Sequence, residues 1–286
     1  MAGLVATSRD FLARAGLCGL IFYSASVHAF ECMIEPWQIV DIASPVTGLV
    51  EKINVKRADR VGKGQVLATL ESKAEQATAD IANFKSEQVG PTQLAEQKIE
   101  FSKRKFVRRQ ALAQERLLAP QDSDDAESEL RLAEAELKVA HENRQLAKLE
   151  YQQQTGLLGL RTLRSPFDGV VVEQMAYPGE VVEPGSNKKA ILKLAQLDPL
   201  KIHALLPKEY FGRVSVGMPG EVIPEVLMPK GKPLAARVKA VDRLIDAASG
   251  TFVVLLEVSN SKLEIPAGLK CQVELDGLNS QPSRKK

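Results

Sequence analysis

The apolar residues follow two different periods along the chain. In residues 30–71 and again in residues 158–276, short runs rich in Val, Ile and Leu alternate with turns that contain Gly and Pro, a pattern typical of β-strands. Between them, residues 72–157 are rich in Ala, Glu, Gln, Leu, Lys and Arg, which favour helix. The pattern therefore predicts a multidomain α+β protein in which a long helical segment interrupts β-structure.

The helical segment carries heptad repeats. In its second half, apolar or long side chains and alanines recur every seven residues at an offset of three, namely Leu130, Leu137, Arg144 and Tyr151 with Ala133, Ala140 and Ala147. In its first half, two further series have the same spacing, namely Ile99, Phe106 and Ala113, and Leu94 and Phe101. This spacing predicts a coiled coil.

Breaks in the heptad pattern predict an antiparallel hairpin. Pro120 is expected to end the first helix, and Asp122 or Ser123 to cap the second. The second arm, residues 123–156, would span about 50 Å at 1.5 Å per residue. The dipeptide at residues 90–91, Gly-Pro, is expected to kink or break the first arm.

An internal repeat flanks the helical segment. Residues 44–50 recur as residues 165–171, 121 positions later, and the match extends to three further pairs: Asp59 with Glu180, Val61 with Val182, and Gly64 with Gly185. Glycine tolerates the positive φ angles that tight turns require. We therefore predict structural roles at the turns for Gly48, Gly64, Gly169, Gly179 and Gly185.

The N-terminal residues have the pattern of an export signal. Arg9 and Arg14 precede an uncharged, mostly apolar run over residues 15–25, and a Val-x-Ala pattern ends at Ala29. Cleavage there would make Phe30 the first mature residue and place the protein in the periplasm. A retained anchor is the alternative, although the uncharged stretch of 16 residues is shorter than the roughly 20 that span a bilayer.

Two cysteines remain after such a cleavage, Cys32 and Cys271. An even pair in an oxidising compartment predicts a disulfide. Two buried free thiols are the alternative.

Composition and motifs argue against several functions. The chain has 38 Lys and Arg against 36 Asp and Glu, so no basic surplus indicates a nucleic-acid partner. His141 and His203 are isolated, and no nucleophile or phosphate-loop motif is present. Lys73 lies in a stretch similar to a lipoylation site, but the second half of the repeat begins 92 residues later at Ser165. We therefore expect no cofactor, no metal and no enzymatic activity.

The ordered motifs resemble those of HlyD-type periplasmic adaptors, also called membrane fusion proteins, and most closely the adaptors of resistance-nodulation-division pumps. The stretches that carry the resemblance are residues 45–48 with 59–67, 164–169 with 178–180, 246–252 and 266–269. The third resembles D-x-x-S-R-T-F with Gly250 in place of Arg, and the fourth resembles P-G-M with one residue inserted.

The resemblance implies a split lipoyl (biotinyl-like) domain with an inserted helical hairpin, followed by a small β-barrel. The implied boundaries are a signal peptide at 1–29, the first strand and first lipoyl half at 30–71, the hairpin at 72–157, the second lipoyl half at 158–196, the barrel at 197–276 and a disordered tail at 277–286. A fourth, membrane-proximal domain that family members often have is expected to be absent or rudimentary.

The function implied by the resemblance is that of an adaptor in a tripartite efflux pump. It would join an inner-membrane transporter to an outer-membrane channel of TolC type, as a homo-oligomer that usually has six copies. The transporter would be of the resistance-nodulation-division or the ABC type. The alternatives are an adaptor of an ABC-type or type I secretion exporter, and a purely structural coiled-coil scaffold.

The hairpin tip of this family resembles R-x-x-L-x-x-x-x-A-I-S-x-x-x-x-D-x-A. The matching residues are Arg109, Leu112, Leu118, Asp124 and Ala126, while Leu117 and Ala119 replace the first Ala and the Ser. The resemblance implies that this tip docks on the channel. The alternative is that Leu112 packs within the hairpin and Arg109 is solvated.

Overall fold

The computed structural model describes residues 29–185, 190–226 and 233–278. The predicted signal peptide and the end of the predicted tail, 279–286, therefore lie outside the described residues. The described chain divides into two compact units. One, here called the β unit, comprises residues 29–33, 202–257 and 269–278, and the other, the hairpin unit, comprises residues 34–201 and 258–268.

The elements follow the predicted alternation of strand and helix. The strands of the described residues are β1 Phe30–Ile42, β2 Gly48–Ile53, β3 Arg60–Val61, β4 Val66–Leu70, β5 Thr162–Arg164, β6 Gly169–Gln174, β7 Val181–Val182, β8 Leu192–Pro207, β9 Pro219–Pro224, β10 Leu234–Asp246, β11 Thr251–Val258 and β12 Lys270–Leu275. The helices are α1 Lys73–Glu87, α2 Gly90–Gln114 and α3 Pro120–Gly159, with a short 3₁₀ turn at Lys208–Tyr210.

The two copies of the repeat exchange strands within the hairpin unit. Gly48 at the start of β2 pairs with Val182 of β7, and Gly169 at the start of β6 pairs with Val61 of β3. These pairs are equivalent under the repeat offset. Each copy therefore contributes a strand to the other, which requires the two copies to fold together although the helices separate them in sequence.

The same hydrogen bonds recur in both copies. The Val50 N–H donates to the Glu180 carbonyl at 2.9 Å, and the equivalent Val171 N–H donates to the Asp59 carbonyl at 3.0 Å. At Gly169 a β-carbon would lie 2.6 Å from the Ala195 carbonyl oxygen, so only glycine permits this close strand approach.

Large aliphatic side chains fill the β-core of the hairpin unit. Leu67 and Ile191 are fully buried there, and Leu70 and Val171 are 1% exposed. Burial of apolar area of this kind stabilises a fold by roughly 25 cal/mol per Å². This core holds the base of the helices in place.

Strand pairing and a disulfide join the first and last strands of the β unit. β12 pairs with both β1 and β9, and β9 pairs with β10. Cys32 lies opposite Cys271 in the β1–β12 pair, and the two form a disulfide with Cα atoms 4.8 Å apart. The structure thus contains the predicted disulfide.

The first arm of the hairpin is two helices, broken between α1 and α2. Pro91 lies in the first turn of α2, where a missing N–H costs nothing. Ser86 and Thr92 are both buried but stand six positions apart, so the heptad shifts by one residue across the break.

The prediction for Pro120 was wrong. The first arm ends at Gln114, and Pro120 is the first residue of α3 with Ala119 as the N-cap residue. Asp122 and Ser123 lie inside the first turn, and no side chain caps the helix. Proline suits the start of a helix because its fixed φ is helical and its absent N–H would have no partner there.

Candidate functional site

The hairpin is held together by small side chains. α3 packs against both α1 and α2. The buried residues of these helices are alanines, serines and one threonine: Ala79, Ala82, Ser86, Thr92, Ala95, Ser102, Ala126 and Ala133. Small residues let helix axes approach closely. The predicted alanine series of α3 therefore does form part of the helix–helix contact.

Two ion pairs join α2 to α3 and show the register of the two helices. The Lys98 ammonium donates to the Glu136 carboxylate at 2.6 Å, and Lys105 donates to Glu129 at 2.6 Å. The hydrogen bond from Lys105 lowers the pKa of Glu129, and the nearby charges of Lys105 and Arg109 lower it further. The pairs lie on the same side of the hairpin, one heptad apart.

The turn at the tip begins with a helix C-cap. Arg116 has a φ of 61°, the Arg116 N–H donates to the Ala113 carbonyl at 3.0 Å, and the Leu117 N–H donates to the Leu112 carbonyl at 2.9 Å. This is the Schellman pattern, in which a left-handed residue ends a helix. It leaves Leu117 69% and Leu112 40% exposed, so two leucines face solvent at the tip.

Arg109 contacts Asp122 within the tip. Its Nη1 donates to the Asp122 carbonyl at 3.3 Å and lies 3.7 Å from the Asp122 carboxylate. The guanidinium thereby connects α2 to the first turn of α3.

The other matched positions differ in exposure. Leu118 is half-buried, Asp124 is exposed, and Ala126 is fully buried. Of the five predicted tip residues, Leu112 and Asp124 therefore face solvent, while Ala126 packs within the hairpin.

Exposed apolar side chains run along the sides of both arms. Leu94 and Phe101 on α2 are 74% and 61% exposed, and Leu132, Val139 and Leu146 on α3 are all more than half exposed. The series Leu94 and Phe101 therefore faces away from the helix–helix contact. The α3 series was missed, although its seven-residue spacing, one position before the alanines, was visible in the sequence.

A partly buried arginine joins the two ends of the hairpin at its base, and sequence reasoning missed it. Arg161 lies just after α3, donates to the Thr47 carbonyl at 3.0 Å and forms an ion pair with Glu75 of α1. Its side chain is 19% exposed. These contacts tie both ends of the hairpin to the start of the first repeat copy.

The motif at residues 246–252 forms the turn between β10 and β11. The Ala248 N–H donates to the Asp246 carboxylate at 2.8 Å, which lowers the pKa of Asp246. Gly250, in place of the family's Arg, has a φ of 68° and donates its N–H to the Asp246 carbonyl at 2.8 Å. Leu244 beside this turn is 81% exposed.

The turn glycines and Lys73 have plain structural settings. Gly64, Gly179 and Gly185 have positive φ angles. Lys73 is the first residue of α1.

Across residues 29–185, 190–226 and 233–278, no cluster of three or more His, Cys, Asp or Glu side chains has the arrangement of a metal site. None of the helices in those residues combines the length and apolar character needed to cross a membrane.

A split β-domain interrupted by a helical hairpin defines a barrel-sandwich hybrid. Residues 38–196 match the family model described as "CzcB-like, barrel-sandwich hybrid domain". Because the match covers more than half of the chain, the protein belongs to this family.

Two curated relatives are named "Pyoverdine export membrane fusion protein PvdR". The protein from Pseudomonas aeruginosa is 26% identical over 188 residues, covering 65% of this chain and 48% of the relative. The protein from Pseudomonas putida is 24% identical over 262 residues, covering 84% of this chain and 67% of the relative. The chain thus spans about half to two thirds of the length of these relatives.

Solved structures share the fold. MacA from Actinobacillus actinomycetemcomitans superposes with a TM-score of 0.71 at 21% identity, over 87% of this chain and 77% of that chain. The membrane fusion protein Spr0693 from Streptococcus pneumoniae gives a TM-score of 0.59 at 16% identity, over 87% of this chain and 98% of that chain. The expected α+β fold is confirmed.

Proposed function

We propose that this chain is the periplasmic adaptor of a tripartite efflux assembly and acts without catalysis. In this proposal it joins an inner-membrane transporter to an outer-membrane channel, after export directed by residues 1–29. The observation that carries the proposal is the hairpin, whose tip exposes Leu112 and Leu117 far from the β-core. The 40 residues of α3 give the arm a length of about 60 Å at 1.5 Å per residue.

The tip is proposed to dock on the channel. A leucine that is exposed on a rigid turn can fill a groove between the helices of a partner. Arg109, through its bonds to Asp122, would hold the turn in shape, and Asp124 would offer a charge at the rim. Ala126, which is fully buried, would then act by packing, and Leu118, which is half-buried, would do so in part.

The partner classes remain those implied by the sequence. The transporter is proposed to be of the resistance-nodulation-division or the ABC type, and the channel of TolC type. The adaptor is proposed to work as a ring, with six copies the usual number for such proteins. The names of the curated relatives, which mention pyoverdine export, support an export role without naming the substrate of this chain.

The deciding experiment compares a tip variant with a matched control. The test variant is Leu112→Asp with Leu117→Asp, and the control is Val107→Asp, which alters another exposed apolar residue of α2, 56% exposed. Each tagged chain is purified from detergent-solubilised envelopes of its host, and the co-purifying transporter and channel are identified by mass spectrometry.

We expect the wild type and the control to retain both partners. The tip variant should retain the transporter, lose the channel and lose export, with unchanged thermal melting. Retention of the channel by the tip variant would reject docking through the tip. Absence of both partners from the wild-type preparation would reject the adaptor role itself.

A further inference from the structure

The hairpin has a second apolar seam that no described part of the chain covers. We label the heptads so that Ile99 and Leu130 are at position a and Ala95 and Ala133 at position d. Positions a and d then form the contact between the arms, and the two Lys–Glu pairs occupy positions g. Five exposed apolar residues of α2 and α3 occupy position c: Leu94 and Phe101 on α2, and Leu132, Val139 and Leu146 on α3. Val107 on α2 and Leu149 on α3 are also exposed but lie at positions b and f. We call the five residues at position c the outer seam. An exposed apolar surface can mark a contact with another molecule.

The opposite side of the hairpin is polar. Its b and e positions carry mostly charged side chains: Glu96, Glu100, Lys103, Glu127, Arg131, Glu134 and Lys138, with Val107 as an apolar exception. Over α2 and α3, most exposed apolar side chains therefore lie on one side, which is the side that a partner would cover.

The ion pairs show that the seams of the two arms lie at the same height. Lys98 is level with Glu136 and Lys105 with Glu129. Because each step of seven residues up α2 matches seven residues down α3, Phe101 lies level with Leu132. By the same register, Leu94 lies level with Val139.

We propose that the outer seam is the contact between hairpins of adjacent copies of this chain, with the α3 seam of one copy against the α2 seam of the next. The inference rests on the proposed ring of adaptors and adds which faces meet. Rotation about an axis along the hairpin keeps every residue at its own height. It would therefore bring Leu132 of one copy beside Phe101 of its neighbour, and Val139 beside Leu94.

A second copy fits the seam better than an unrelated partner. The two halves of the seam belong to different helices of one chain, have the same spacing and lie at the same levels, so each complements the other. The Lys98–Glu136 and Lys105–Glu129 charges beside the seam are already paired within each hairpin, so the contact would not leave these four charges without a partner. A head-to-tail contact of this kind closes into a ring when its rotation permits.

The geometry also determines which side of the hairpin faces the ring axis. On each helix, the angle between the a/d contact and position c is smaller on the side that carries position g than on the side that carries positions e and b. In a closed ring, the side with the smaller angle between the two contacts faces the ring axis. The Lys98–Glu136 and Lys105–Glu129 pairs would then line the enclosed space, and the b and e positions would face outward.

Thiol cross-linking between two differently tagged copies tests the contact. One full-length copy carries Phe101→Cys and the other Leu132→Cys, each with Cys18→Ser, and both are produced together in the native host. The native disulfide keeps Cys32 and Cys271 from reacting with a short bismaleimide. The matched control combines Glu100→Cys with Arg131→Cys, which lie at similar heights on the polar side.

We expect a cross-linked heterodimer from the seam pair, loss of that band in the control pair, and none when either seam variant is produced alone. Cross-linking of the control pair, of Phe101→Cys with itself, or of no pair would overturn the inference. Co-purification of transporter and channel is measured in the same samples. If the partners are retained without the seam cross-link, only this inference fails; if they too are absent, the proposed function fails as well.

Discussion

The β-core of the hairpin unit and the hairpin itself bury opposite kinds of residue. In the core, Leu67 and Ile191 are fully buried, and the two repeat copies complete each other's sheets. In the hairpin, alanines such as Ala133 are buried while Phe101 and Leu132 are exposed. The core therefore buries its large apolar side chains within one chain, whereas the hairpin exposes several of its own.

The largest expected effect comes from truncating a core leucine. Leu67→Ala should destabilise the protein by about 2–5 kcal/mol, because it removes apolar contacts and leaves a cavity. Leu132→Ala, the same change at an exposed position, should stay within about 0.5 kcal/mol. Urea denaturation followed by fluorescence of Trp37, the one tryptophan of the chain, measures both. Equal losses would contradict the contrast between core and hairpin.

A smaller effect is expected from enlarging a residue in the helix–helix contact. Ala133→Leu should cost about 1–3 kcal/mol, since the fully buried alanine leaves no room for a larger side chain. Ala135→Leu, two positions away on an exposed surface, is the matched control and should be nearly neutral. Helical circular dichroism during urea denaturation reports the difference. A neutral Ala133→Leu would mean that the arms pack loosely.

The repeat and the heptads were readable from sequence because both depend on residue type and spacing. Gly169, which permits close strand approach, and Gly48 occur at matching places in the two copies. The direction in which a heptad series faces was not readable, since Leu94 and Phe101 have the same spacing as the contact series. Only the position of the neighbouring helix decides which series is covered.

Other features depend on contacts distant in sequence. Arg161 pairs with Glu75, which is 86 positions away in the chain, so no local pattern indicates this contact. Pro120 was placed at the wrong end of a helix because proline is compatible with both a helix stop and a first turn. The helix actually ends just before Arg116, which has a left-handed conformation. Glycine, the usual sequence signal for such an end, is not present at this position.

The two repeat copies offer a finer comparison at one turn. Ala58 and Gly179 are equivalent positions, with φ angles of 71° and 90°, a region that costs an alanine about 1–2 kcal/mol. Ala58→Gly should therefore stabilise the protein by up to about 1 kcal/mol despite the greater freedom of the unfolded chain.

Gly179→Ala is the reciprocal change and should destabilise by a similar amount. No atom lies within 4 Å of where its β-carbon would be, so the cost would be conformational and not steric. Midpoints of urea denaturation measure both variants. Changes of the same sign would show that the two turns are not equivalent.

The smallest expected effect concerns the ion pair between Lys105 and Glu129 in the hairpin. The Lys105 hydrogen bond lowers the pKa of Glu129, so Glu129 favours the folded hairpin above its unfolded pKa, and this contribution is lost as the pH falls through the lowered folded pKa. Because the pair is exposed, salt should weaken it.

Titration of the side-chain carboxyl signal by NMR should show the pKa of Glu129 rising toward its ordinary value in Lys105→Gln. Lys103→Gln, which removes a neighbouring charge on the polar side, should leave that pKa nearly unchanged. An equal rise in both variants would assign the shift to the general positive charge of α2 instead of to the paired lysine, and the ion pair would then carry no information about the register of the two arms.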